Sequence, residues 1–124
     1  LGARAILPGW HPEPRRLMCA ADLLLHTPLF EGLPRVVLEA LSVGLPVLST
    51  DVDGIPEAVP HGEAGLLFAP GDEAGMIEAL MMLHDDATLR ARIAAGAARA
   101  FTREFTLEEM FARLDREYRA VGPT

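Results

Sequence analysis

Short β-like runs alternate with helix-period segments along the first seventy or so residues, and this alternation constrains the fold more than any other feature. Strands are expected at Ala3–Leu7, Asp22–His26, Pro46–Thr50 and Gly65–Phe68. Between them, helices are expected at Pro14–Ala21 and Pro34–Val43, with a short one at Ile55–Val59. Pro34 suits a first helical position, where its missing N–H costs nothing, and Gly44 suits the stop. Strand and helix in turn require crossover connections, so the class is α/β, a parallel sheet with flanking helices.

Beyond residue 72 the pattern is helical, over about 73–121. Glu73–His84, Ala87–Phe101 and Leu107–Val121 read as amphipathic helices, the last opened by Thr106 and Glu109 at capping-box spacing. That box marks a helix start and carries no functional meaning, and Met76, Met81 and Met82 read as core or interface filler. At 124 residues the chain is one domain or a piece of one, able to bury roughly two thirds of its unfolded surface. It begins at Leu1 with a strand-like run almost at once, so it is expected to be an incomplete segment of a longer protein. No apolar run reaches the roughly 18 residues of a membrane span, and a soluble, cytoplasmic protein is expected. Cys19, the single cysteine, lies in an apolar helical stretch and is expected to be a buried structural thiol. The net charge of −7, with no Lys-rich or aromatic-interleaved patch, argues against a nucleic-acid surface. His11, His26, His61 and His84 are scattered, so no metal site is expected.

Ligands of an open parallel sheet bind beyond the carboxyl ends of its strands, where loops enter helix N-termini. The loop Thr27–Leu33 is such a place. Gly32 lets backbone approach a ligand, and the amides of Gly32, Leu33, Arg35 and Val36 would face the same crevice at the positive end of the helix dipole. An anion such as a sugar diphosphate fits that geometry. Glu31 sits in the loop and Glu39 five residues into the helix, about 7–8 Å along its axis from Pro34, so one extended ligand could meet both. A carboxylate pairs well with two neighbouring hydroxyls, as on a ribose or hexose ring. Glu39 has a second reading, an i,i+4 pair with Arg35, and spacing alone does not choose between them. Among the remaining residues, His26 reads as a satisfied core histidine, Asp51 and Asp53 as turn or capping residues, Glu57 as structural, and Arg15 and Arg16 as a solvated helix face.

Glu31-Gly32-Leu33-Pro34 through Glu39-Ala40-Leu41-Ser42-Val43-Gly44-Leu45-Pro46-Val47 resembles the signature of family 4 retaining glycosyltransferases. The resemblance extends upstream to Gly9-Trp10 and Ala20-Ala21-Asp22, and downstream to Asp53-Gly54-Ile55-Pro56-Glu57, Gly62, Gly65 and Pro70-Gly71-Asp72. It implies a Rossmann-like parallel sheet forming part of the C-terminal, donor-binding domain of a two-domain GT-B enzyme. It also implies a catalytic, sugar-binding role for Glu31, with the amides of Gly32 and Leu33 beside it, and a grip on the ribose diol for Glu39. The amides of Arg35 and Val36 would face the diphosphate, and Gly9, Trp10 and His11 would lie near the base. From the residues alone, Gly9-Trp10 reads as a loop packed by its ring. Pro34 departs from the second glycine common in the family and withholds one donor. The basic pair for the pyrophosphate and the acceptor-side groups of an N-terminal domain are not among these residues.

The leading expectation is therefore the donor-binding portion of an enzyme transferring a hexose from a UDP- or GDP-sugar to a glycan, lipid or small-molecule acceptor, with retention and without cofactor or metal. The segment is expected to be inactive alone, and the full enzyme to be cytoplasmic or peripheral at the inner face of a membrane. Two other readings stand beside it: glycoside hydrolysis by the two glutamates, which in its retaining form needs carboxyl groups about 5 Å apart, and a non-catalytic sugar-nucleotide binding or assembly module. A dinucleotide dehydrogenase is disfavoured because no G-x-G-x-x-G follows a strand. An incomplete sheet would expose a strand edge, so self-association or strand exchange of the segment is expected.

Overall fold

The computed structural model describes residues 4–122, with the backbone only of 102–104. At its centre β2 (Val47–Thr50) pairs in parallel with β1 (Leu24–His26) on one side and β3 (Gly65–Phe68) on the other. Leu24 lies opposite Val47 and His26 opposite Ser49, while Val47 faces Gly65 and Thr50 faces Phe68. The three carboxyl ends therefore lie along one edge of the sheet, and the loops after His26, Thr50 and Phe68 open on the same side. This is the α/β class expected from the sequence.

Successive side chains of β2 point to opposite faces, and both faces are covered. Val47 joins a core with Val37, Ala40 and Leu41 of α2 (Arg35–Ser42), Ile55 and Ala58 of α3 (Ile55–Ala58), and Ala97 of α5 (Ala87–Glu104). Leu48 joins another with Leu66, with Ala79 and Leu83 of α4 (Glu73–Asp85), and with Ile93 of α5. A parallel strand buried on both faces has no solvent side to make polar, which is why Val47-Leu48 runs apolar without alternation. Leu41, Val47, Leu48 and Leu83 are each fully buried.

Helix α2 begins one residue later than Pro34, whose ψ of 125° is extended; Pro34 is the cap, and its carbonyl accepts from Val37 and Leu38 at 3.1 and 3.3 Å. Its far end is a Schellman turn: Gly44, at φ 70°, donates to Leu41 O and Leu45 to Ala40 O, and Leu45 is buried behind it. Gly44 is thus the expected stop.

The expected first strand does not form. Ala3 lies outside the described residues, Arg4 is in a short 3₁₀ turn, and residues 5–9 are irregular. Ile6 and Leu7 are 82% and 95% exposed, since an apolar run becomes a strand only beside another strand and none of the described ones lies next to it. The expected helix Pro14–Ala21 stops at Met18 as α1 (Pro14–Met18) and continues as turns closed by Ala20 N–H to Leu17 O and Ala21 N–H to Met18 O. Met18 is the residue it buries, and Cys19, expected inside, is exposed. The second strand starts at Leu24 rather than Asp22.

The third C-terminal helix, α6 (Leu107–Val121), has the expected start: Thr106 Oγ1 accepts from Glu109 N–H at 3.2 Å. It buries no residue, and Leu107, Phe111 and Tyr118 are exposed along it. The Glu109 side chain accepts from Arg116 at 3.0 Å and Arg113 at 3.2 Å. Those two guanidiniums, Arg116 first, hold its carboxyl below the ordinary 4.5. A depressed carboxyl stabilises the folded chain above its ordinary pKa and loses that contribution as pH falls through the depressed value. The melting-temperature difference between wild type and Glu109→Gln is therefore expected to be small, present above pH 4.5, and to shrink at lower pH. A difference that grew on acidification would contradict the pairing.

Candidate functional site

Three hydrogen bonds tie the loop after β1 to the end of β2 and the segment that follows it. Thr50 Oγ1 donates to Pro28 O at 2.6 Å, Glu31 N–H donates to Asp53 Oδ2 at 2.9 Å, and Gly54 N–H donates to Gly32 O at 3.1 Å. Asp53 holds a left-handed backbone, φ 46°, a conformation that a short polar side chain tolerates better than most, and it turns the chain so that carboxylate and Gly54 amide both face the loop. Gly54 itself has an ordinary φ of −82°; what it supplies is proximity, because a Cβ there would stand 2.7 Å from Gly32 O and 3.3 Å from Leu33 N. Asp53 has the turn role expected of it, and that turn positions Glu31.

Glu31 lies at the carboxyl end of β1, its side chain 36% exposed, with Oε2 3.8 Å from Nε2 of His26. His26 is not the satisfied core histidine the sequence suggests: Nε2 is buried without a hydrogen-bond partner, and 3.8 Å is too long for one. A buried polar atom left unpaired costs about 1–3 kcal/mol. Glu39 is on α2, 25% exposed at its side chain, and its Oε1 meets Arg35 at 3.4 Å, the i,i+4 pair that spacing allowed. Arg35 is 91% exposed at its side chain, so solvent screens the pair and a ligand can replace it cheaply.

That pair forms one wall of an open groove of about 550 Å³, whose other side is Pro12–Arg16 with Cys19. Among the described residues the amides of Gly32, Leu33, Arg35 and Val36 donate to nothing in the protein. Pro34 has no side-chain oxygen to cap them, so the dipole end of α2 keeps free donors. Gly32 and Leu33 are exposed beside Glu31, while Val36 is half-buried with its side chain against the core. Gly9 and Trp10 lie in the exposed N-terminal arm, Gly9 at φ 72° and Trp10 87% exposed, so that indole is not packed as a loop anchor. His11 is half-buried, its Nδ1 accepting from Glu13 N–H at 3.1 Å. The arm reaches the groove only at Pro12, and Glu31 lies outside the residues lining it. Glu39 and Arg35 thus share a groove, and Glu31, Gly32 and Leu33 share the adjoining loop.

Arg16 is turned to Glu13 at 3.0 Å on the exposed face of α1, as expected. Glu57 is exposed in the first turn of α3. Among the described residues no three His, Cys, Asp or Glu side chains gather where a metal could bind, and no helix is long and apolar enough to cross a membrane. Sequence reasoning missed the clamp. Its signal was Asp53-Gly54, a turn dipeptide placed just after a strand.

A parallel α/β sheet with helices on both faces and loops at its carboxyl edge is Rossmann-like. Residues 1–86 match the family model described as glycosyl transferases group 1, and the chain belongs to that family, which is of the GT-B type. It is 29% identical over 115 residues to N-acetyl-alpha-D-glucosaminyl L-malate synthase of Bacillus anthracis, covering 93% of this chain and 30% of that protein. To the lipopolysaccharide core biosynthesis mannosyltransferase LpsB of Rhizobium meliloti it is 32% identical over 124 residues, covering 98% of this chain and 31% of the relative. Among solved structures, Anabaena Alr3699/HepE in complex with UDP-glucose superposes with a TM-score of 0.87 at 27% identity, over 97% of this chain and 33% of that one. The chain spans between 21% and 32% of the length of the curated relatives it matches.

The clamp makes Gly54 and Gly32 unequal. Gly54→Ala is expected to cost about 1–3 kcal/mol in urea unfolding by forcing the loop away, whereas Gly32→Ala, with nothing within 4 Å of its Cβ, should cost less than about 1 kcal/mol. Equal losses would contradict the close approach.

Proposed function

We propose that residues 1–124 are part of the C-terminal donor-binding domain of a family 4 retaining glycosyltransferase. It would transfer a hexose from a UDP- or GDP-sugar to a glycan, lipid or small-molecule acceptor. The observation that carries the reading is the clamped loop: Glu31, Gly32 and Leu33 are fixed beside the uncapped start of α2, where free amides await an anion. Support comes also from the relative solved with UDP-glucose. Glu39 would exchange Arg35 for the ribose diol, since two adjacent hydroxyls satisfy both carboxylate oxygens. The diphosphate would lie at the amides of Arg35 and Val36, and Glu31 would hold hydroxyls of the sugar. Charge accumulating on the departing diphosphate is stabilised there by donors already in place, which lowers the barrier without reorganisation. Trp10, exposed beside Gly9 and His11, would cover the base. Family membership favours transfer over hydrolysis by the two glutamates. The acceptor side and a basic pyrophosphate pair would come from the rest of the protein, as would the neighbour for the open edge of β1.

Calorimetry on the full-length protein, with UDP-glucose, GDP-mannose and the free nucleotides, tests this. Glu39→Ala should weaken both a nucleotide sugar and its free nucleotide about 10- to 100-fold, the worth of hydrogen bonds to a charged group. Glu31→Gln should weaken only the nucleotide sugar. Unchanged turnover after Glu39→Ala would overturn the assignment.

A further inference from the structure

We infer that His26 is a positioning residue for Glu31, its enclosed Nε2 holding the carboxylate in the orientation that meets the donor sugar. The inference rests on the reading above, in which Glu31 contacts that sugar. His26 ends β1 opposite Ser49, at the carboxyl edge of the sheet. Its Nε2 is buried with no hydrogen-bond partner among the described residues, where Glu31 Oε2, 3.8 Å away, is the acidic oxygen within ion-pair reach. A sugar hydroxyl cannot touch an atom so enclosed, so whatever the imidazole does for a ligand it does through its neighbour. The neighbour is prepared for this. Glu31 has its backbone fixed by the Asp53 carboxylate, so its side chain approaches or leaves His26 by torsion alone. A hydrogen bond requires that 3.8 Å separation to close by about 1 Å. An Nε2-protonated ring then donates to Oε2 and leaves the other carboxylate oxygen facing outward with its lone pairs free. Forming that bond satisfies the orphaned nitrogen and at the same time removes the rotational freedom that the carboxylate would otherwise lose on binding.

The test uses the full-length protein, with UDP-glucose and UDP, or GDP-mannose and GDP if the wild type prefers guanine. His26→Leu should weaken the nucleotide sugar about tenfold and leave the free nucleotide within twofold. His26→Gln, which keeps a side-chain N–H of similar reach, should recover most of the loss. In a Glu31→Gln background His26→Leu should add nothing, because the pair acts as one unit. Equal weakening of sugar nucleotide and nucleotide, no weakening, or additive losses would overturn the proposal. Nitrogen-15 NMR of the ligand-free protein separates this from failure of the underlying reading: the His26 ring signals should show an Nε2-protonated tautomer and move in Glu31→Gln. Rings unmoved by that change exclude the pairing whatever the ligand data show, while moved rings with sugar binding indifferent to Glu31 would fault the donor assignment instead.

Discussion

The site depends on the short bridge between two loops at the carboxyl edge of the sheet. The loop after β1 has no regular structure of its own, and a free loop of this composition would sample many conformations. Thr50, Asp53 and Gly54 remove that freedom by meeting Pro28, Glu31 and Gly32 at 2.6, 2.9 and 3.1 Å. Two of the three bonds involve backbone of the residues proposed to face the sugar, so the position of Glu31 follows from β2 rather than from its own strand. Behind β2 stand two apolar clusters, one on each face, that fix where Thr50 ends and the turn begins.

From that bridge the chemistry divides in two. The backbone of Glu31 and Gly32 is held still, whereas the Glu39 side chain is held lightly, by an exposed arginine one turn away on the same helix. A rigid loop suits a group that must present one orientation to a sugar. A screened, replaceable ion pair would suit the diol-binding role proposed for Glu39, since its cation can be displaced cheaply. The absence of a capping side chain at Pro34 belongs to the same logic, since a serine or aspartate there would occupy the donors that an anion needs.

Much of this was legible in the sequence because it is local. The run Val47-Leu48, the stop at Gly44 and the cap at Thr106 each state their structure in the residue types themselves, and α2, β3 and α6 lie where the pattern puts them, to within a residue. What failed depended on neighbours. Ala5-Ile6-Leu7 has a strand's composition and, among the described residues, no strand beside it. Cys19 sits in an apolar stretch, just past the end of α1, and no core element covers it among the described residues. Trp10 has the ring of a core residue and lies on the surface. An apolar strand surrounds His26 in sequence, but whether its nitrogen finds a partner is decided by where the loop after β1 carries Glu31. The glutamate pair was visible at once; the aspartate that places one of its members was hidden 22 residues away.

The central claim is that Glu31 and Glu39 hold two parts of one bound molecule. A crystal structure of the full-length protein with an intact nucleotide sugar measures this directly. The account predicts the ribose diol on Glu39 with Arg35 displaced, the diphosphate at the amides of Arg35 and Val36, and sugar hydroxyls on Glu31. A ligand bound elsewhere, with Glu39 still paired to Arg35, would contradict it.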